Sequence, residues 1–525
     1  MLRDPAQILD LGAAVERLRA AIAGQEPIVV YGDFDADGVT STALLVQTLE
    51  AFGAQVTPYI PNRVDEGYGL NCDALDKIAS WGTRLVVTVD CGIRSVCEVA
   101  HGNALGLDMI VTDHHSIQRD ADGRDILPPA LAVINTKRQG DPYPFKDLAG
   151  VGLAFKLAQG LMRAEQANPI AAGPVGLKAG DLLDLVALGT VADVAPLLEE
   201  NRSLVRLGLN ALNRPKRPGI QAMLDEAKIK GGRVSAYSIG FMLGPRLNAA
   251  GRLASASIGY ELLTAPDGFI ARVKADELGR LNRERQELTQ ALVEQAKAEI
   301  GDDGAGRYLH LIAGAGYHPG IVGLVAGRLT EELYRPTIVA EVGATETRGS
   351  CRSIPEFNIT HALDECRELL VRHGGHAAAA GFTVRNENLP ELRRRLEEIA
   401  ARKLAGIDLT PVLKIDGEYD LAERDLALFE LLQQLEPYGE GNPQPVFVSH
   451  GLEVVPDSVR TVGSDGQHLK LRVRAPGARI VWDAIAFRMG ELADGLPARL
   501  DLAYSLEMND YSRAPQLNVQ DLRAA

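Results

Sequence analysis

The sequence predicts an α/β protein with two α/β domains, a long helix that joins them, and a small β-barrel at the carboxyl end. Short runs of β-branched residues alternate with helical stretches over the first 135 residues, which is typical of βαβ units around a parallel sheet. Residues 267–300 contain no proline and carry apolar residues at helical spacing. The last part of the chain contains short runs that alternate apolar and polar residues, as the strands of a small barrel do.

Five strands are predicted in the first region, separated by segments with a helical pattern such as Thr40–Phe52. The predicted strands are Ile28–Tyr31, Val56–Ile60, Leu85–Val89, Met109–Thr112 and Leu131–Ile134. Parallel strands end at the same edge of a sheet, so we expect the residues that follow them to lie close together.

The later segments complete the predicted architecture. A helical region extends to about residue 265, a second α/β pattern runs from Tyr308 to about residue 403, and the barrel pattern runs from Val446 to Leu522. We therefore place the segment boundaries at 1–215 for the first α/β domain, 216–300 for the helical region and connecting helix, 301–405 for the second α/β domain, and 406–525 for the barrel domain.

The composition excludes several classes of protein. A chain of 525 residues with 46% hydrophobic and 24% charged residues is expected to form several domains with real cores. No apolar run is long enough to span a membrane, and the amino terminus, MLRDPAQILDLG, lacks the apolar segment of a signal peptide, so we expect a cytoplasmic protein. Five scattered cysteines without a C-x-x-C pair argue against a disulfide framework and against a cysteine zinc site.

The net charge of -15 at first argues against a nucleic-acid partner, because lysine and arginine side chains drive phosphate binding. Residues 213–233, however, hold six basic residues against Asp225 and Glu226. The six are Arg214, Lys216, Arg217, Lys228, Lys230 and Arg233. This segment predicts a basic path on an acidic body, and a solvated surface is an equally good interpretation of charge alone.

Three carboxylates, Asp33, Asp35 and Asp37, lie within five residues in VVYGDFDADG. The spacing resembles the start of an EF-hand, but Leu44 stands where that loop needs a glutamate, and a strand precedes the loop in place of a helix. Neighbouring carboxylates repel one another unless a cation neutralises them or water solvates them. A metal site and a solvated acidic loop are the two interpretations of this cluster.

Further candidate ligands follow other apolar runs. Asp90 follows LVVTV, the triplet at 113–115 follows MIVT, and Asp193 lies in GTVADVAP, where we expect it to lie outside a helix. A turn or cap position is the alternative interpretation of Asp193. Convergence of these groups at the carboxyl edge of the sheet favours a metal site. Carboxylates mixed with imidazole suit Mn²⁺ better than Mg²⁺, and their number predicts two ions about 3.5 to 4 Å apart, the usual arrangement for displacement at phosphorus.

These motifs carry a family resemblance. DFDADG, the Asp90 segment, the DHH triplet and GTVADVAP, each expected at a strand end, resemble the successive motifs of the DHH phosphoesterase family. Four later segments resemble the RecJ group of that family: FMLGPRLNAAGRL, GYHPGIVGLVAGRL, GGHAAAAGF and EPYGEGNPQPVF. The resemblance covers nearly the whole chain and implies a DHH domain, a DHHA1 domain and an OB-like barrel. RecJ proteins commonly have more residues before the first strand, so the absence of an amino-terminal segment is an open alternative.

The family pattern implies how the ligands are shared between two ions. Asp35 and Asp90 would hold one ion with help from Asp33. The other would be held by Asp37, Asp90, His114 and Asp193, with Asp90 as the bridge.

The resemblance also implies a catalytic role for Asp90, Asp113 and His115. His115 would face the scissile phosphate and stabilise developing charge or protonate a leaving oxygen. Asp113 would orient a histidine. The alternative is that His115 is only a supporting partner of Asp113.

The implied substrate-binding residues come from both α/β domains and from the helical region between them. They are Arg63, Arg246, Asn248, Arg252, Ser350, Arg352, Ser353, Gly375 and His376. Tight helix packing is the alternative interpretation of the glycine-alanine segment, and helix capping is the alternative for PRLNAAGR. In the barrel, basic and aromatic side chains would follow a single strand; the candidates are Arg460, Lys470, Arg472, Arg474, Arg488, Phe447, Tyr504 and Tyr511. For each of them, a position on the plain surface or in the barrel core is the alternative.

The resemblance therefore implies a single-stranded-DNA-specific 5′-to-3′ exonuclease that uses two divalent ions, Mn²⁺ or alternatively Mg²⁺, and releases 5′ mononucleotides in DNA repair and recombination. The implied partner is single-stranded DNA, candidate protein partners are a single-strand-binding protein and a helicase, no membrane is expected, and we expect a monomer. One alternative is a small-substrate DHH phosphodiesterase that acts on nano-RNA or cyclic dinucleotides; the connecting helix and the barrel argue against it. The other is a non-catalytic single-strand-binding scaffold, against which the intact ligand set argues.

Overall fold

The computed structural model describes residues 2–63, 66–67, 69–170, 175–230, 232–301, 306–423, 426–463, 466–509 and 514–525. The chain forms two compact units, residues 1–410 and 411–525. The first unit contains two sheets and the second contains one. Among the described helices, none combines the length and the apolar character that a bilayer-spanning segment needs.

The first sheet has five parallel strands in the order β2-β1-β3-β4-β5. They are β1 (Ile28–Gly32), β2 (Val56–Tyr59), β3 (Leu85–Val89), β4 (Asp108–Thr112) and β5 (Ala132–Ile134). All five predicted strands are confirmed, with ends that differ by at most one residue. β1 and β3 are buried along their whole length, as expected for strands covered on both faces. This strand order creates a crevice between β1 and β3, where the connections diverge.

Helices cover both faces of this sheet, and further helices pack outside them and lead to the second domain. They are α1 (Leu11–Ala23), α2 (Ala36–Ala51), α3 (Cys72–Ser80), α4 (Val96–Ala104), α5 (Gly150–Ala167), α6 (Leu183–Ala192), α7 (Glu199–Leu212), α8 (Pro218–Glu226), α9 (Ala236–Ser238), α10 (Gly244–Leu253), α11 (Ser257–Leu263) and α12 (Gly268–Ile300). A π-helical turn, Ile239–Leu243, joins α9 to α10.

Helix α12 confirms the predicted connecting helix. Asp267 caps its start by accepting hydrogen bonds from the backbone N–H groups of Phe269 and Ile270. Leu278 and its neighbours pack into the core of the first domain, and Val293 packs into a core of the second. The same helix therefore supports both domains of the first unit.

The second sheet has the order β6-β7-β8-β10-β9, in which only β6 and β7 are parallel. Its strands are β6 (His310–Gly314), β7 (Thr337–Val342), β8 (Glu346–Arg352), β9 (Leu370–Gly375) and β10 (Ala379–Arg385). Its helices are α13 (Val322–Leu333), α14 (Ile359–Asp364) and α15 (Leu389–Leu404). The helix-packing interpretation of GGHAAAAGF is wrong, because this segment forms the β9–β10 hairpin.

The second unit is an OB-like sheet. It contains β11 (Gly417–Glu418), α16 (Leu426–Leu435), β12 (Phe447–Val454), β13 (Arg460–Val462), β14 (His468–Arg474), β15 (Trp482–Ala486), β16 (Arg499–Met508) and β17 (Pro515–Ala524). A pairing of β12 with β14 links the two sides of the sheet, as in the partly open barrel of OB-folds. The finer division of the first unit at residues 215 and 300 remains a prediction.

Candidate metal centre

The predicted ligands converge at the crevice of the first sheet. Asp33 follows β1, Asp90 follows β3, and the triplet at 113–115 follows β4. Asp37 lies in the first turn of α2. The strand-end position expected for Asp193 is wrong, because this residue is the C-cap of α6.

Two helix amino termini point at the carboxylates. Asp35 accepts hydrogen bonds from the backbone N–H groups of Asp37 at 2.9 Å and Gly38 at 3.1 Å, and so caps α2. Asp37 accepts hydrogen bonds from Gly150 at 2.7 Å and Val151 at 2.9 Å, at the start of α5. The positive ends of two helix dipoles therefore offset part of the repulsion among these acids.

His114 lies at the centre of the ligand cluster. Its Nε2 is 3.1 Å from Oδ1 of Asp90, 3.6 Å from Oδ2 of Asp193 and 3.9 Å from Oδ2 of Asp37. Two groups, Asp33 with Asp35 and Asp90, and Asp37 with His114 and Asp193, each bring their ligand atoms within 4.8 Å of one another. The family pattern implies the same two groups, except that it also includes Asp90 in the second group as the residue shared by both ions.

The buried atoms of this cluster lack ordinary hydrogen-bond partners. Within the described ranges, Oδ1 of Asp33, Oδ1 of Asp90 and Nε2 of His114 are buried and accept or donate no hydrogen bond. Asp90 also has a positive φ of 62°, a strained conformation that is typical of functional sites. Oxygen and imidazole atoms left without partners in this way fit divalent metal ions.

Burial dominates the electrostatics of the cluster. Burial, followed by the charge of Asp35, raises the pKa of Asp37 to about 7. Burial, followed by the charges of Asp37 and Asp35, raises the pKa of Asp193 to about 9. Burial and then His115 lower the pKa of His114 to about 3, which keeps the imidazole in the neutral form that binds metals.

His115 is held by Asp113 beside the cluster. Its Nδ1 lies 2.7 Å from Oδ1 of Asp113, whose other oxygen accepts a hydrogen bond from the backbone of Ile93 at 2.9 Å. Burial lowers the pKa of His115, but the hydrogen bond and charge of Asp113 outweigh it and raise the pKa to about 9. Asp113 is therefore placed to orient this histidine.

Two residues that the sequence interpretation missed support the triplet. Lys137 donates a hydrogen bond to the carbonyl of His114 at 2.7 Å, and Asn135 donates one to the carbonyl of His115 at 3.0 Å. Asn135 directly follows β5, and Lys137 comes two residues later. Their position just beyond the end of a predicted strand is the sequence feature that could have identified them.

A cavity of about 580 Å³ adjoins the cluster. Its lining residues are Asp33, Phe34, Asp35, Arg63, Ala192, Asp193, Asn248, Gly251 and Arg252. Asn248 accepts a hydrogen bond from the backbone of Ala36 at 2.7 Å, so it supports the start of α2 as well as lining the cavity. Arg252 donates a hydrogen bond to the carbonyl of Gly320 at 2.9 Å and so links α10 to the second domain.

Arginines from both domains approach this cavity. The guanidinium of Arg63 lies 4.8 Å from the ring centre of Phe34. Burial, and then the charges of Arg63, Arg285 and Arg352, lower the pKa of Arg252 to about 9. Arg63, Arg252, Arg285 and Arg352 therefore lie near one another, although they come from four separate segments of the chain.

Ser350 and Arg352 lie side by side on β8. Nη1 of Arg352 is 3.3 Å from Oγ of Ser350 and donates a hydrogen bond to the carbonyl of Cys351 at 2.8 Å. Gly323 in the first turn of α13 faces both, because a Cβ there would lie 2.9 Å from Oγ of Ser350. The amino terminus of α13 thus adds to a basic pocket that suits a phosphate.

The structure does not bring every predicted substrate residue to the cavity. Arg246 forms an ion pair with Glu226 at 2.5 Å and lies outside the cavity lining. The hydroxyl of Ser353 donates to the carbonyl of Phe357 at 2.6 Å. Both side chains are used inside the fold.

Gly374, Gly375 and His376 lie at the tip of the β9–β10 hairpin. A Cβ on Gly375 would lie 2.4 Å from the carbonyl oxygen of Ala379, whereas one on Gly374 would meet open space. His376 is largely exposed; partial desolvation, and then the positive charges of Arg94 and His115, lower its pKa. The hairpin tip of the second domain therefore faces the DHH triplet.

The basic segment at 213–233 is partly neutralised by residues outside it. Arg217 forms an ion pair with Asp184 at 2.8 Å, and Lys216 forms one with Asp181 at 3.0 Å. Because Arg217 is also largely buried, the predicted basic path over this segment is weaker than its composition suggests.

In the OB-like unit, the outer face of β14 carries Lys470, Arg472 and Arg474, which alternate with buried apolar residues, and Arg460 pairs with Lys470 across the strands. Arg474 forms an ion pair with Glu453 at 2.9 Å. Phe447 is half-buried, Arg488 is exposed, and Tyr511 lies outside the described residues. Tyr504 is fully buried and bonded to Ser449 at 2.7 Å, so the DNA-contact interpretation of Tyr504 is wrong.

Comparison with known proteins places this site in a family. The chain is 38% identical to the single-stranded-DNA-specific exonuclease RecJ of Dickeya dadantii, over 97% of this chain and 89% of that protein. The chain belongs to the RecJ group of the DHH phosphoesterase family. It is also 38% identical to the RecJ exonuclease of Bacillus subtilis over 99% of its own length, and it spans 64% of that relative.

Family models and solved structures agree with this assignment. The models of the DHH family N-terminal domain, the DHHA1 domain and the RecJ OB domain match residues 27–190, 291–402 and 415–521. The RecJ structure from Thermus thermophilus in complex with Mn²⁺ matches with a TM-score of 0.82 and 31% identity, over 99% of this chain and 72% of that chain. The Mg²⁺ complex of the same protein matches with a TM-score of 0.75 and 30% identity, over 99% and 70%.

Proposed function

We propose that this chain is a metal-dependent exonuclease that hydrolyses single-stranded DNA from the 5′ end and releases 5′ mononucleotides during DNA repair and recombination. The observation that carries the proposal is the position of the ligand cluster. It borders a cavity that is approached by Arg63 from the first domain and by Arg352 from the second. A cation-binding cluster beside a basic pocket suits a polyanionic substrate.

Two divalent ions are proposed as cofactors, with Mn²⁺ preferred and Mg²⁺ as the alternative. Asp33, Asp35 and Asp90 would hold one ion, and Asp37, Asp90, His114 and Asp193 would hold the other. Ions at these positions would supply Lewis-acid activation for displacement at phosphorus. The solved RecJ structures from Thermus thermophilus are complexes with Mn²⁺ and with Mg²⁺, which supports this choice of ions.

His115 is proposed to act on the reacting phosphate. Asp113 holds the ring through Nδ1, and Nε2 would face the substrate. From this position the ring would stabilise charge on the phosphate or pass a proton to the leaving oxygen.

The 5′ polarity is proposed to come from a clamp on the terminal phosphate. Arg63 would contact it from the first domain, while Ser350, Arg352 and the amino terminus of α13 would contact it from the second. With the terminal phosphate held there, the next phosphodiester would lie at the ligand cluster. The OB-like unit would provide an additional surface for the single strand.

The expected partner is single-stranded DNA in the cytoplasm, with a single-strand-binding protein and a helicase as candidate protein partners. The chain is expected to act as a monomer.

Digestion of a labelled single strand with each end blocked in turn tests the function. We expect Mn²⁺-dependent release of mononucleotides from strands with a free 5′ end and protection of strands whose 5′ end is blocked. Digestion of 5′-blocked strands from the 3′ end would overturn the polarity. Faster hydrolysis of dinucleotides than of long strands would favour a small-substrate phosphodiesterase, and absence of hydrolysis with either ion would favour a binding scaffold.

A further inference from the structure

Arg285 occupies an unusual position on α12. The inner face of this helix packs into the first core through Leu278 and Leu281 and into a core of the second domain through Leu292 and Val293. Arg285 lies on the stretch between these two cores and is half-buried. At the place where α12 crosses from one domain to the other, the inward face therefore changes from apolar to basic.

The guanidinium of Arg285 has no partner in the part of the chain that the structure describes. Its Nε is buried without a hydrogen bond, and no described carboxylate forms an ion pair with it, whereas Arg280 pairs with Glu284 at 3.1 Å and Arg283 with Glu226 at 2.9 Å. A buried donor of a charged group that lacks a partner is costly. Arg285 is therefore poorly explained as a structural residue.

The charges around Arg285 increase this cost. Burial, and then the positive charge of Arg246, lower its pKa, and Arg285 in turn acts on Arg252 at the cavity. Arg285 thus approaches the cavity from the α12 side. The arrangement leaves excess positive charge that an anion would neutralise.

A second polar atom near Arg285 also lacks a partner. Asn282 lies one turn earlier on the same face of α12, is 4% exposed, and its Oδ1 is buried without a hydrogen bond within the described ranges. Residues three apart on a helix are neighbours. A hydrated phosphodiester offers oxygen acceptors to Arg285 and water hydrogens to Asn282.

We propose that Arg285 binds an internal phosphate of the single strand, beside the cavity and separate from the terminal-phosphate clamp. The proposal rests on the function proposed above. The terminal phosphate has a pocket made by Arg63, Ser350 and Arg352, whereas Arg285 lies near Arg246, which is outside the cavity lining. Arg285 would therefore hold a phosphate other than the terminal one and keep the strand in register over the ligand cluster.

Binding measurements without metal test this site independently of cleavage. The probe is a fluorescent 5′-phosphorylated single strand in EDTA, and the proteins are the unmodified chain, Arg285→Met, and the matched control Arg280→Met, an exposed charge on the same helix. We expect Arg285→Met to weaken binding about 10-fold or more and to lower the salt slope by about 0.7, with a much smaller effect for Arg280→Met. Equal effects of the two substitutions would overturn the inference.

A scan with single methylphosphonate linkages locates the phosphate. One internal neutral linkage should weaken binding by the unmodified chain and have no effect on Arg285→Met, while a missing 5′ phosphate should weaken both proteins equally. If Arg285→Met removed the sensitivity to the 5′ phosphate, the internal assignment would be wrong. Absence of any strand binding by the unmodified chain would instead overturn the proposed function.

Thermal unfolding separates a binding role from a structural one. Removing an unpaired, half-buried charge should leave the Tm of the free protein unchanged or raise it. A clear decrease in Tm for Arg285→Met, together with a strand affinity that Arg285→Lys fails to recover even in part, would mean that the residue supports the fold.

Discussion

Oδ2 of Asp37 accepts a hydrogen bond from the backbone N–H of Gly150 at 2.7 Å, so that one carboxylate belongs both to the ligand cluster and to the start of α5. Its other oxygen accepts from Val151 at 2.9 Å, and the side chain is fully buried. The site and the packing of α5 on the sheet are therefore joined through one residue.

Substitution of Asp37 should show both roles. Asp37→Asn and Asp37→Ala both remove the charge and should abolish Mn²⁺ binding at this position, but the single oxygen of asparagine can still accept from one of the two backbone N–H groups of α5. We expect Asp37→Ala to be less stable than Asp37→Asn by about 1 kcal/mol, because alanine leaves both N–H groups without an acceptor whereas asparagine leaves one. Urea unfolding in EDTA measures the difference, and equal midpoints would contradict the capping role.

Asp193 offers the contrasting case. Within the described residues its carboxylate accepts no hydrogen bond, and burial followed by the charges of Asp37 and Asp35 raises its pKa to about 9. Asp193→Asn should therefore keep or raise the Tm of the metal-free protein, while the rise in Tm on adding Mn²⁺ becomes smaller. For the unmodified chain that rise corresponds to about 2.7 kcal/mol at 100 times the Kd. An unchanged Mn²⁺ effect in Asp193→Asn would remove Asp193 from the ligand set.

The strand-end ligands could be predicted because their positions follow from local pattern and one topological rule. Asp33, Asp90 and His114 each follow a short apolar strand, and parallel strands end at one edge of the sheet. This prediction does not depend on any side-chain contact. The long connecting helix could also be predicted from the sequence, because its apolar spacing continues without proline from one domain to the other.

Contacts between segments that are distant in the chain could not be predicted from the local pattern. The cap of Asp37 on α5 joins residues 113 positions apart, and the partner of Arg246 is a glutamate on α8. A basic side chain looks the same in sequence whether it binds phosphate or a buried carboxylate. For this reason the sequence pattern predicts that both Arg246 and Arg252 bind substrate, and it gives no signal for Arg285.

The two glycines of the hairpin tip should respond differently to alanine. Gly375 has φ of 151°, and a Cβ there would lie 2.4 Å from the carbonyl oxygen of Ala379. Gly375→Ala should lower the free energy of unfolding by about 1–3 kcal/mol, measured by urea denaturation. Gly374→Ala should leave stability unchanged and weaken binding of a short 5′-phosphorylated strand, since the added methyl group would stand between the backbone and a nucleotide. Equal losses of stability would show that both glycines serve only the turn.

His310 on β6 should make the protein sensitive to acid. It is 2% exposed, neither ring nitrogen has a partner within the described ranges, and burial followed by Arg307 and Arg335 lowers its pKa to about 4. Because the folded pKa lies below the unfolded value, the neutral ring contributes full stability above about pH 6.5, and this contribution is lost as the pH falls toward 4. We therefore compare the free energy of unfolding of His310→Leu with that of the unmodified chain at each pH. From pH 8 to pH 5 the difference should change by about 1–2 kcal/mol in favour of His310→Leu. Urea unfolding at both pH values measures this, and a pH-independent difference would refute it.

Arg352 should read the 5′ phosphate. Its guanidinium lies beside Ser350 and faces the first turn of α13 at Gly323, an arrangement that suits a doubly charged terminal phosphate through charge-assisted hydrogen bonds. We expect Arg352→Ala to lower kcat/KM about 10- to 100-fold on 5′-phosphorylated single strands, with a much smaller loss on 5′-hydroxyl strands and unchanged Mn²⁺ affinity. Arg385→Ala, which removes an exposed arginine from the far end of the neighbouring strand β10, serves as the matched control and should affect neither substrate. Equal losses on phosphorylated and hydroxyl strands would show that Arg352 supports the strand in general and does not recognise its end.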